Sequence, residues 1–73
     1  MTSNFRISIA SPPDREGLVA EIFFDGVQWA EVNQERNSLE VEFCTRPDQT
    51  PWKLELQDAI ESLKEAKRRL QDA

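Results

Sequence analysis

Phe5, Ile7 and Ile9 alternate with Asn4, Arg6 and Ser8 near the start of the chain, the period of two that a strand shows when one of its faces is buried. A first strand is predicted there. Residues 11–17, SPPDREG, then remove two backbone donors at Pro12 and Pro13, and Asp14 to Gly17 fits a type I turn with Asp first and Gly fourth. LVAEIFF reads as a second strand, Asp25-Gly26 is the dipeptide of a two-residue hairpin, and VQWAEVN returns as a third strand. An unbroken ladder around that turn pairs Phe24 with Val27, Ile22 with Trp29 and Ala20 with Glu31 on one face. The other face then carries Val19, Glu21, Phe23, Gln28, Ala30 and Val32. Neither face is uniformly polar, although a sheet covered on one side normally alternates more cleanly.

The fourth strand does alternate cleanly: SLEVEFC sets Leu39, Val41 and Phe43 against Glu40, Glu42 and Cys44. The polar stretch QERNS before it suits a hairpin connection. After RPDQTP, the segment WKLEL at residues 52–56 reads as a short fifth strand with Trp52, Leu54 and Leu56 inward, or as a lead into the helix. Leu56, Ala59, Ile60, Leu63, Ala66 and Leu70 then recur at spacings of three and four, an apolar stripe that predicts a helix over about residues 57–71. Asp58 and Glu61 lie early in it, while Lys67, Arg68 and Arg69 lie late, each complementing the helix dipole by roughly 0.3 to 1 kcal/mol. Such a stripe must be buried, and the sheet is the only large surface available. The expected fold is α+β: a four- or five-stranded antiparallel meander over about residues 4–45, with one C-terminal helix on one face, forming a single small domain over residues 1–73.

Charge and composition narrow the function classes. The chain has 73 residues and a net charge of -5, and a domain of this size buries only roughly 60% of its unfolded surface. Residues 1–63 hold 12 acids and 5 bases, whereas residues 64–73 hold 4 bases and 2 acids. An acidic body repels a phosphate backbone, so nucleic-acid binding is disfavoured and a basic protein surface is the natural partner. The late basic residues Lys64, Lys67, Arg68 and Arg69 are accounted for by the helix dipole and intrahelical pairing. No apolar run approaches the ~18 residues of a membrane span. One cysteine and no leader-like N-terminus point to a reducing, cytoplasmic setting.

Catalytic chemistry finds little material. The chain has no His and no Tyr, which removes the commonest general base, the commonest metal ligand and any Ser-His or Cys-His pair. The lone Cys44 excludes CxxC zinc sites and reads as a small hydrophobe. Neither glycine sits in a phosphate-binding pattern, and no Asp-rich calcium loop is present. No cofactor and no catalytic residue is assigned; an enzymatic role survives only as a subunit completing another protein's site. Glu40 and Glu42 share one strand face, near Glu21 or Glu31, and such carboxylates either hold a hard cation or keep the sheet from pairing with other chains.

The block SPPDREGLVAEIFFDGVQWAEV, together with RPDQTPW and the terminal EAKRRL, resembles a family of small uncharacterised bacterial proteins of about this length. The resemblance implies a bacterial cytoplasmic origin and transfers no site residue. Toxin-immunity and anti-CRISPR proteins share the size and acidity only. The leading expectation is a non-catalytic protein-interaction module using the sheet face away from the helix, with Phe23 at the centre of Val19, Glu21, Gln28, Ala30, Val32, Glu40 and Glu42, and with Glu31 at the rim. Its partner is another protein or a second copy of the chain. A metal- or small-ligand-binding protein using the sheet carboxylates and an acidic inhibitor or immunity-type protein are the alternatives.

Overall fold

A computed structural model describes residues 4–14, 16–34 and 37–73. It contains β1 (Phe5–Ala10), β2 (Val19–Phe24), β3 (Val27–Asn33), β4 (Glu40–Phe43) and α1 (Leu56–Asp72). The strands form one antiparallel sheet in the order β1-β2-β3-β4, so every connection joins spatial neighbours. The predicted turn at Asp14 to Gly17 includes Arg15, and the β3–β4 connection includes Glu35 and Arg36, all outside the described residues. Asp25 and Gly26 have φ of 51° and 81°, the two positive values that a type I′ hairpin turn requires.

The hairpin departs from an unbroken ladder at one place. Phe24 faces Val27 and Phe23 faces Gln28, but Ile22 faces Ala30, leaving Trp29 as an extra residue in β3. This β-bulge shifts all that follows by one position. Ala20 therefore faces Val32, and Glu21 faces Glu31. Ala30 and Val32, expected on the open face, are instead buried in the core beneath the helix, with Trp29 beside them. Glu31 crosses to the open face in exchange. The mixed polarity of both hairpin faces is thus the signature of reading straight through a bulge.

The core joins Ile7, Ala20, Ile22, Phe24, Trp29, Ala30 and Val32 to Ala66 and Leu70 of the helix. Full burial of a Val, Leu, Ile or Phe side chain contributes roughly 1.5 to 3 kcal/mol, so this one cluster carries most of the fold's stabilisation. The helix starts at Leu56, which is its first residue and 74% exposed, so the expected stripe is one turn too long. Ser62 takes a place in the stripe instead; it is fully buried, and its hydroxyl donates to the Ala59 carbonyl at 2.9 Å. That bond removes the cost of an unpaired buried hydroxyl.

No fifth strand forms at residues 52–56. Trp52 and Leu54 pack against the core as predicted, but as a loop whose conformation is fixed by side chains. The Trp52 indole donates to the Cys44 carbonyl at 2.7 Å, and the Arg46 guanidinium lies 4.9 Å from the Trp52 ring centroid. Asp48 accepts from the Thr50 hydroxyl at 2.7 Å and the Thr50 backbone N–H at 3.1 Å, an Asx-type turn. These two bonds, with Arg46 adding to them, hold the Asp48 carboxyl below its ordinary range.

The helix lies along β1, β2 and β3 and does not reach β4. Near its C-terminal end, Glu65 accepts from Arg68 at 2.6 Å and from Arg69 at 2.7 Å. Hydrogen bonds from these two arginines pull the Glu65 carboxyl down to about 2. Arg69 also donates to the Ile7 carbonyl of β1 at 3.3 Å, which ties the last turns of the helix to the edge of the sheet.

Candidate protein-binding face

The face of the sheet opposite the helix is built by alternation. Residues of β2 that are out of phase with Ala20, Ile22 and Phe24 must point to the other side, and these are Val19, Glu21 and Phe23. Beyond the bulge the same rule places Glu31 and Asn33 there from β3, and Glu40 and Glu42 from β4. Glu21 faces Glu31, and Glu31 faces Glu42. Three carboxylates therefore stand in one line across three neighbouring strands.

Asn33 organises the line. It is 1% exposed, and its side-chain amide donates to Glu42 at 2.9 Å and to Glu31 at 3.2 Å. The two carboxylates are thereby fixed in position. Glu40 faces Asn33 across the β3–β4 ladder. Cys44 follows β4 on this side, and burial pushes its thiol above the usual range, with Glu31, Glu42 and Glu21 adding to the shift in that order. A thiol raised in this way stays protonated at neutral pH and is a poor nucleophile.

The expected residues do not all assemble. Glu21, Phe23, Gln28 and Glu40 are half-buried and Glu42 is exposed, all on one side of the sheet. Val19 is 1% exposed and is not available to a partner. It lies in a cleft where the β1–β2 connection (Glu16, Gly17, Leu18) and the end of β3 (Asn33, Gln34) meet the C-terminal end of the helix at Leu70 and Ala73. Ala30 and Val32 lie in the core for the reason given above. Phe23 is not a bare apolar centre, because Arg6, its cross-strand neighbour, places its guanidinium 4.5 Å from the ring centroid, a cation–π arrangement. With Ala30, Val19 and Val32 removed, the face is acidic and polar with one aromatic residue.

Glu31 belongs to this face by virtue of the bulge, and the sequence does carry a sign of it. Trp29 and Ala30 are adjacent apolar residues, after which Glu31, Val32 and Asn33 alternate in the opposite phase to Val27 and Gln28. A slip of phase inside one strand marks an extra residue.

Among the described residues, no group of three or more His, Cys, Asp or Glu side chains is disposed to hold a metal ion. None of the described helices is long and apolar enough to cross a membrane. Comparison with protein-family models, curated proteins and solved structures finds no match to the chain.

Proposed function

We propose that the chain is a non-catalytic protein-interaction module that receives a basic protein surface on the face of the sheet opposite the helix. The observation that carries this reading is the line Glu21, Glu31 and Glu42, held in cross-strand register on three adjacent strands and buttressed by Asn33. A partner segment carrying Lys or Arg would meet carboxylates already held in register along this line. Phe23 and Gln28 supply contact area beside it. Electrostatic complementarity of this kind accelerates encounter and selects the partner more than it adds raw affinity.

The test is site-specific photo-cross-linking in the native cell. A photoreactive residue at Gln28 is expected to capture a partner, whereas the same residue at Lys67 on the exposed side of the helix is not. Glu21→Lys combined with Glu42→Lys is expected to abolish capture at position 28. Equal capture at both positions, or capture indifferent to the charge reversal, would falsify the proposal.

A further inference from the structure

Four aromatic rings cross the helix side of the sheet, one from each strand. Phe5 lies 5.8 Å from Phe24, Phe24 lies 5.5 Å from Trp29, and Trp29 lies 5.5 Å from Phe43, centroid to centroid. The helix covers the row over β1, β2 and β3 and stops short of β4. Phe43 is consequently 62% exposed and Val41 40% exposed. The row ends, uncovered, at a sheet edge.

The backbone of that edge is uncovered too. Cys44 N–H donates to the Trp29 carbonyl at 2.8 Å, so the facing residues Phe43 and Ala30 form a non-hydrogen-bonded pair, and by alternation so do Val41 and Val32. The N–H and C=O groups of Val41 and Phe43 therefore point away from β3. Among the described residues, no backbone hydrogen bond takes them up. Glu40 and Glu42 alternate with them on the other face.

We propose that β4 is a docking edge that captures an extended segment of a partner protein in which basic and apolar residues alternate. This rests on the reading of the chain as a protein-binding module and assigns the chemistry of what it binds. The added strand takes its main-chain bonds from Val41 and Phe43, the mode known as β-augmentation. Its apolar residues fall beside Val41 and Phe43 and extend the aromatic row. Its basic residues fall beside Glu40 and Glu42, next to the carboxylate line. The same two glutamates disfavour a second copy of the chain. Antiparallel self-pairing centred on Val41 sets Glu40 against Glu42 of the other copy, and centring on Glu42 sets Glu42 against itself.

The test uses the full chain, isotope-labelled, with an acetylated and amidated peptide of four Lys-Val repeats. Slower amide exchange at Val41 and Phe43 on adding the peptide is expected, with a Glu-Val peptide giving no effect. Val41→Pro removes an outward donor without touching the β3 ladder and is expected to weaken binding about tenfold, the scale of a lost hydrogen bond. Should that variant fold poorly, Glu40→Lys leaves the Asn33–Glu42 hydrogen bond in place and is expected to abolish the preference for the Lys-Val over the Glu-Val peptide. Peptide shifts confined to Glu21, Phe23 and their neighbours would reject the edge while leaving the face as the binding surface. Absence of any shift would reject the edge, and the cross-linking experiment then decides the face separately. Protection of Val41 and Phe43 without peptide, at the mass of a dimer, would assign the edge to a second copy and overturn the proposal.

Discussion

β1 and β4 close the same sheet from opposite sides, and both place apolar residues on the helix side, yet they end in different states. The bond from Asp25 N–H to the Asn4 carbonyl makes Phe5–Phe24 a non-hydrogen-bonded pair, so Phe5, Ile7 and Ile9 turn their backbone groups outward as Val41 and Phe43 do. On β1 the helix packs alongside, Ile7 is buried, and the Ile7 carbonyl accepts from Arg69. On β4 the helix is absent, and Val41 and Phe43 are exposed. A sheet edge is a template for pairing unless something blunts it. Here, among the described residues, tertiary contact blunts the first edge, while the second carries the alternating charges of Glu40 and Glu42.

The largest effect on this comparison comes from the residue that links the two edges. Trp29→Ala removes the ring between Phe24 and Phe43 and is expected to cost about 3 to 5 kcal/mol, enough to unfold much of the population at room temperature; urea denaturation checks it. Next is Arg69→Met, which leaves the Ile7 carbonyl without its donor. It is expected to cost about 1 kcal/mol and to make the mass by light scattering rise with concentration, because both edges are then open. A strictly monomeric variant would show that Arg69 does not guard β1.

Acid probes the same tie without mutation. The Glu65 carboxyl is depressed to about 2 by its bonds to Arg68 and Arg69, so the stabilisation it provides is complete above the ordinary glutamate pKa and is lost as pH falls through about 2. A carbon-detected titration of Glu65 is expected to show that low midpoint in the native chain and a higher one in the Arg69→Met variant. The smallest effect falls at the open edge. Phe43→Lys alters a residue that is 62% exposed, and stability is expected to stay within about 0.5 kcal/mol. A larger loss in thermal unfolding would mean that β4 is more deeply engaged in the core than its exposure indicates.

Much of the fold was legible because local chemistry and core packing agreed. Phe5, Ile7 and Ile9 alternate over the β1 span, Asp25-Gly26 adopts the turn its residue types favour, and Ala59, Leu63, Ala66 and Leu70 bring one side of the helix to the sheet. The candidate face was read less well. Glu21, Phe23, Gln28, Glu40 and Glu42 lie on one side, but Ala30 and Val32 do not, because a single bulged residue reverses every position after it while leaving composition unchanged. Val19 departs for a different reason: alternation predicts which way a side chain points and says nothing of the connecting chain and the helix end that share its cleft. Leu56 fits the helical stripe and remains exposed because it sits at the first turn.

The sequence by itself determined the strands, the hairpin and the amphipathic helix, since these follow from periodicity, turn chemistry and capping charge within a few residues of each other. Only the tertiary structure decided that Trp29 is an extra residue, that three glutamates stand in register, and that the helix stops before β4. Those outcomes depend on contacts between segments far apart in the chain, where register and reach are set by how the core packs, and no local pattern encodes where a helix of given length will end against a sheet.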